Sequence, residues 1–218
     1  MPRSLLPPLL MAAASMGPVH GQSAATDTTD LGQGPHARMH MLFEKTIFKV
    51  DVLTLDVWLG PEETTEIDAL MSRRDGPRDR VRDVADSIAS VAVGARNAWA
   101  RIEFRRNVRF DRFLDGIRTN LRRAARAGIV TEASYEDILA DLPGWYAFLA
   151  DRGIRSGDGM FYRIRGDTLH TGYRAVDGEV LLDQVDVGPE RRLAVMGGYF
   201  APGSDFRDKL VMSIMRAR

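Results

Sequence analysis

Residues 100–121, ARIEFRRNVRFDRFLDGIRTNL, constrain this chain more than any other stretch. The segment opens by alternating. Trp99, Arg101, Glu103 and Arg105 oppose Ala100, Ile102, Phe104 and Arg106, the period-two pattern of a β-strand with one packed face and one that is polar or lines something. It then turns helical. Phe110, Phe113, Leu114, Ile117, Leu121 and Ala124 recur at three- and four-residue spacing, Asp111, Asp115, Arg118, Arg122 and Arg126 run along the other side, and Gly128 stops the run. Asn120 breaks the apolar stripe. It lies seven residues after Phe113 on the same helix face, so its amide must find partners there, either a bound molecule or neighbouring backbone.

The flanking segments supply the rest of a sheet and its helical cover. Residues 39–60 alternate as one long or two short strands, closed by Gly60 and Pro61. Phe48, Val50, Val52, Thr54, Asp56 and Trp58 share one face, and Ile47, Lys49, Asp51, Leu53, Leu55, Val57 and Leu59 the other. Pro61 and the acidic residues after it start a short helix, and Val81, Val84, Ala85, Ile88, Val91 and Ala92 predict a second over 79–93. Ser134 and Asp137 suggest a capping box for a helix to Asp141. Pro143 suits the first turn of a further helix presenting Trp145, Phe148 and Leu149, so two helices, or one kinked helix, are expected there. Residues 160–165, 168–175 and 179–187 return to β, with turns at Gly166–Asp167 and Asp177–Gly178, so a three-stranded meander is expected. Residues 189–200 and 204–215 finish as helices, the last with Phe206, Leu210, Val211 and Ile214 on one side.

The N-terminal residues differ from this body. Arg3 precedes Leu5, Leu6, Leu9, Leu10 and Met11, an apolar core too short and too broken by Pro7 and Pro8 to span a bilayer. Residues 1–21 are expected to be a signal peptide, cleaved near Gly21 or Ala25, which predicts a periplasmic or secreted protein. Residues 22–38, rich in Ser, Thr, Asp, Gly and Gln, are expected to be a flexible linker, and residues 39–218 one domain and a monomer. No other segment has the length of a membrane span, and there is no cysteine. Thirty basic and thirty acidic residues cancel, so no net field draws the chain to nucleic acid or anionic lipid.

The order of strands, helical insert, strand, long helix, helix pair, meander and two terminal helices resembles the chalcone isomerase superfamily. The similarity is carried by VWLG at 57–60, the block 100–121, the paired strands around Asp177 and Gly178, and RLAVMGGYFAPGSDFRDKL at 192–210. It spans 39–215. It implies an α+β fold, an open-faced β-sandwich with an antiparallel sheet, helices packed on one side and a cleft between them. Members that are enzymes close a chalcone to a flavanone without metal or organic cofactor, and other members hold fatty acids. The chemistry uses an arginine, a tyrosine, a threonine and an asparagine that stabilise a developing enolate. On this chain the asparagine position falls at Asn120 and is kept. The tyrosine position falls at Phe113, the threonine at Leu53, the arginine near Met41, and a late Ser or Thr at about Arg192. The resemblance therefore implies no chalcone isomerase activity, no catalytic residue and no cofactor.

Other chemistry-bearing residues have plain structural readings beside functional ones. Arg101, sharing a strand face with Glu103 and Arg105, is either a carboxylate-binding guanidinium or half of a cross-strand ion pair. His36 and His40 with Asp30 lack a further ligand at helical spacing, so no metal site is expected. His170 reads as a sheet histidine and Gly157–Asp158–Gly159 as a turn. Asp111 and Asp115 interrupt the cluster Arg105, Arg106, Arg109 and Arg112, which reads as a solvated face.

Three functions follow. The leading one is a non-catalytic binder of a small hydrophobic molecule such as a fatty acid, in a cleft walled by 99–107 and 110–124 and contacted by Arg101, Phe113 and Asn120. The second is an isomerase or lyase in which Asn120 and Arg101 stabilise an oxyanion. The third is a structural or partner-binding domain whose cleft is packed shut by Phe113, Leu53 and Trp145.

Overall fold

In a computed structural model the described residues are 31, 33–45, 50–74 and 76–217. The leader, most of the linker, Asp30, Ile47, Phe48 and Lys49 lie outside them. The alternating segments form one six-stranded sheet. Its strands are β1 (Ala37–Lys45), β2 (Val50–Leu59), β3 (Asn97–Phe104), β4 (Gly159–Arg165), β5 (Thr168–Arg174) and β6 (Val180–Val187). They lie side by side in chain order and every neighbouring pair is antiparallel, so the meander expected for the last three strands extends to all six. Residues 39–60 resolve into two strands of a hairpin, with Met41 opposite Leu55 and Met39 opposite Val57.

The pleat sorts side chains by parity. Ala37, Met39 and Met41, then Leu55, Val57 and Leu59, then Ala98, Ala100, Ile102 and Phe104 are all buried at 4% exposure or less, and they form the packed layer under the helices. Register carries that layer across to Met160, Tyr162 and Ile164 and on to Leu169, Thr171 and Tyr173. The opposite parity holds Arg38, His40, Asp56, Trp58, Trp99, Arg101 and Glu103 on the face without helices. There Gly172 lets the Phe161 ring lie across β5, because a Cβ would sit 2.1 Å from its edge, and Phe161 stacks on Trp99 at 5.9 Å.

The helices are α1 (Pro61–Met71), α2 (Arg78–Gly94), α3 (Phe110–Arg126), α4 (Glu132–Trp145), α5 (Pro189–Phe200) and α6 (Arg207–Ala217). The fold is thus α+β, an open antiparallel sheet with helices on one face, as expected. Thr64, fully buried in α1, donates to the Gly60 carbonyl at 2.7 Å and accepts from the Ala37 N–H at 2.7 Å, which pins the start of β1. β1 thus opens two residues before Met39, and Leu31 is also buried, inside the stretch whose composition reads as linker.

Two local expectations are corrected. The N-cap of α4 is Thr131, whose hydroxyl accepts from the Ser134 N–H at 3.2 Å; Ser134 and Asp137 sit inside the helix. Pro143 does not start a second helix. The helix runs through it to Trp145, and a 3-10 turn over Ala147–Leu149 follows. Pro143 is exposed and its missing N–H falls in the last turns, where the chain is already tightening into that 3-10 turn.

Candidate functional site

The sheet and helices separate over β4–β6, leaving a cavity of about 110 Å³. Its floor is Tyr162 of β4, Leu169 and Thr171 of β5, and Leu182, Gln184 and Asp186 of β6. α3, α4 and α5 form its roof and sides. α5 contributes a single face. Pro189 fixes its first turn, and Arg191, Ala194, Val195, Gly198 and Tyr199 follow at helical spacing toward the cavity. Gly197 sets how near α5 comes to α3, because a Cβ there would meet the Ala124 Cβ and an Ile129 methyl at 2.9 Å.

Three tyrosine hydroxyls gather in this apolar space. Tyr146 and Tyr162 are buried; their hydroxyls reach the Met160 sulfur at 3.8 and 3.5 Å, and the Tyr162 hydroxyl also hydrogen-bonds those of Tyr146 and Tyr199. A thioether is a weak acceptor. Burial pushes the Tyr146 hydroxyl well above the ordinary tyrosine range, and Tyr162 and then Asp186 add to the shift. Burial does the same to Tyr162, with Tyr199 adding and Tyr146 opposing, and to Tyr199, with Tyr146 adding and Tyr162 opposing. All three hydroxyls therefore stay protonated and act as donors, not as bases.

Charge enters at two places. Among the described residues lining the cavity, Asp186 alone carries a carboxylate, and the Gln184 amide donates to both its oxygens at 3.0 and 3.2 Å. Arg191 lies over the Trp145 ring with its guanidinium carbon 4.0 Å from the centroid, and its Nη2 donates to Asp141 at 2.9 Å. Its Nη1 is buried without a hydrogen-bond partner.

The three residues singled out from sequence are not brought together. Asn120 lines the cavity, as its place on the apolar stripe suggested, and its Oδ1 accepts from Arg123 Nη1 at 3.0 Å. Phe113 does not line the cavity. It stands one layer behind, edge-on to Tyr146 at 5.0 Å and to Phe104 at 6.3 Å. Arg101 is on the other face of the sheet. Its odd parity on β3 places it across from Asp56, 3.9 Å away, and Arg38 at 2.7 Å and His40 at 2.9 Å share that carboxylate. The cross-strand ion pair is the reading that holds, and no β3 residue walls the cavity.

The other aligned positions are structural. Met41 is core, and Leu53 packs far from the cavity, opposite Phe43 and Phe104. Arg192 is buried and reaches the Val93, Gly94 and Ala95 carbonyls at 3.4, 3.4 and 3.2 Å, closing the C-terminus of α2 where a cation meets the negative end of the helix. Of the trio expected to shut the cleft, only Trp145 reaches its wall. Among the described residues no group of three metal-ligating side chains forms, and no helix is long and apolar enough to cross a membrane.

Sequence reasoning missed Tyr146, Tyr162, Tyr199 and Arg191. Tyr162 was within reach, since it alternates with Met160 and Ile164 on the packed face of β4. The others depend on how α4 ends and how α5 is rotated.

Among solved structures, the chain is similar to a fatty-acid binding protein of Arabidopsis thaliana, at 8% identity over 83% of this chain and 86% of that one, with a TM-score of 0.49. No family model matches the chain, and no curated protein does.

Proposed function

We propose that this chain is a non-catalytic binder of a small, largely apolar molecule, of which a fatty acid is the leading class, held in the cleft between α3, α4, α5 and β4–β6. One observation carries the reading. The cavity has apolar walls of Leu121, Ile138, Leu142 and Leu169, and within it the Tyr146, Tyr162 and Tyr199 hydroxyls hydrogen-bond in a row, three protons for two hydroxyl–hydroxyl links, with only a thioether beside them. By the roughly 10–15 Å³ that one buried water requires, 110 Å³ holds several waters, so the space suits a small molecule and not a peptide segment. Apolar walls favour a hydrocarbon body, and protonated hydroxyls favour an oxygen on it.

The isomerase or lyase reading keeps one point in its favour, because neutral tyrosine hydroxyls with Asn120 are the kind of donors that polarise a carbonyl. Against it, Arg101, the oxyanion partner that reading expects, pairs with Asp56 on the other face of the sheet, away from the cavity.

The test is native mass spectrometry of the purified chain, followed by organic extraction and identification of what is bound. The binding reading predicts a stoichiometric apolar ligand, or stoichiometric uptake of a fluorescent fatty acid by apo protein. Clean apo protein that takes up no such probe would sink it.

A further inference from the structure

We propose that the cleft is built for a carboxylate carrying a second oxygen function at its far end, with Arg191 holding the carboxylate and the Tyr146, Tyr162 and Tyr199 hydroxyls holding the other oxygen. The proposal rests on the binding reading above and names the ligand class of the same site.

Arg191 supplies the first anchor. Its guanidinium is positioned twice over, by the Trp145 ring beneath it and by Asp141 on Nη2, while Nη1 is buried with no acceptor. A buried donor on a charged group without an acceptor is rare, because it has given up water for nothing. Asp186, which accepts from Gln184, does not fill the role, since Arg191 Nη1 makes no hydrogen bond to it. A planar fork with one side satisfied and one open is matched by a ligand carboxylate.

The tyrosines supply the second anchor. Their hydroxyls remain donors because burial disfavours the phenolate, and they hydrogen-bond in a row, Tyr146 with Tyr162 and Tyr162 with Tyr199, so that three protons serve two links and one is left for the Met160 sulfur or a ligand. A hydroxyl or carbonyl oxygen of a ligand is a better acceptor than Met160. Geometry separates the two anchors. Arg191 and Tyr199 are eight residues apart on one face of α5, about 12 Å along the axis, which an extended chain of about nine carbon–carbon bonds would span. Ile138, Leu142, Leu169 and Val195 supply apolar lining for such a chain. A plain saturated acid would satisfy Arg191 and leave the last hydroxyl proton of the tyrosine row without an oxygen acceptor.

The test is isothermal titration calorimetry of delipidated full chain with decanoate, ω-hydroxydecanoate and decanol, on wild type, Arg191→Gln and Tyr199→Phe. The expected order on wild type is ω-hydroxydecanoate, decanoate, decanol, with about tenfold in Kd at each step, the size of one charge-assisted or buried hydrogen bond. Arg191→Gln removes the preference for acid over alcohol, and Tyr199→Phe weakens the preference for the hydroxylated acid while keeping that for acid over alcohol. Wild type that binds decanol as tightly as decanoate overturns the role of Arg191, and equal binding of the two acids overturns the role of the tyrosines. These rankings are decided on wild type even if a variant fails to fold. If all three probes bind equally, only this proposal falls; if none binds, the binding reading falls with it.

Discussion

The two halves of the sheet carry the same pleat and opposite interiors. Over β1–β3 the helix-facing layer is Ala, Met, Leu, Val, Ile and Phe, small residues such as Ala98 and Ala100 belong with Ala89 and Ala92 to the apolar core, and none of these strands lines the cavity. Over β4–β6 the same parity brings Tyr162, Thr171, Gln184 and Asp186 inward, and the helices above leave a cavity. A cavity is expensive when its lining is wholly apolar and could collapse. Large side chains with polar tips hold the roof off the floor, and the tips give the space something to bind. The polar lining of the cleft is therefore a property of residue choice on one half of the sheet, the half in which the β5–β6 pairing also shifts register between Tyr173 and Arg174.

Asp158 is the strongest place to break this arrangement, because it closes the end where the halves meet. It is fully buried and accepts from Arg152 at 2.9 and 3.2 Å, from the Tyr173 hydroxyl at 2.7 Å, and from the N–H groups of Arg155 and Val176 at 2.8 and 3.0 Å. Its own carbonyl accepts from the Phe104 N–H at the end of β3. Asp158→Ala strands a largely buried arginine and a buried phenol, and should cost about 3–5 kcal/mol in urea unfolding. Burial pushes the carboxyl up, but Arg152, Arg155, Tyr173 and Val176 outweigh it and hold it below the usual carboxylate range. The unfolded carboxyl then titrates above the folded one. The advantage of wild type over Asp158→Ala should be complete above about pH 4 and shrink as the pH falls below it. An advantage unchanged at low pH would show that the carboxylate form is not what matters.

A matched pair of truncations tests the contrast directly. Leu55→Ala removes a fully buried side chain from the closed half, and Leu142→Ala an equally buried one from the cavity wall. The first should fall toward the upper part of the usual range of about 2–5 kcal/mol, because a new void opens in tight packing. The second should fall toward the lower part, because it enlarges a space that exists. Equal losses would mean that the cleft half is packed as tightly as the other.

The asymmetry was legible in part. The strands, their inward parity and the apolar stripe of α3 follow from period alone, which is why the architecture and the cavity position of Asn120 could be anticipated. Parity also held the answer for Arg101: once Ala100, Ile102 and Phe104 face the helices, Arg101 cannot, and a cleft assigned to both faces of one strand was inconsistent. Tyr146 and Arg191 were not legible. Their roles depend on where α4 ends beyond Pro143 and on the rotation of α5 against Gly197, which are matters of tertiary packing. Asp158 looks like an ordinary turn residue because its partners lie before it in the loop, beside it in the backbone and on β5, and no local pattern joins them.

The tyrosines give the contrast a signature in pH. Tyr146, Tyr162, Tyr173 and Tyr199 all belong to the half around β4–β6 and its roof, and each is raised by burial first. A raised folded value means that their contribution is complete below the unfolded pKa of about 10 and is lost above it, by up to about 1.4 kcal/mol per pH unit for each hydroxyl that stays neutral in the fold. Stability should therefore decline steeply above about pH 10. Tyr162→Phe should make the decline shallower, and an unchanged slope would remove Tyr162 from the set.

The smallest expected effect belongs to the outer face. Arg101 shares Asp56 with Arg38 and His40, its closest approach is 3.9 Å, and more than a third of its side chain is exposed. Removing one of three partners leaves the buried carboxylate served by the other two, so Arg101→Ala should cost well under about 1 kcal/mol once solvent screening is counted. More telling is what it should leave alone. The sheet backbone stands between Arg101 and the cavity, so the affinity for any acid probe should match that of wild type, while Arg191→Gln, a change to one arginine on the other side, lowers it. Loss of acid binding in Arg101→Ala would place the anion on the open face of the sheet and would move the functional surface out from under the helices.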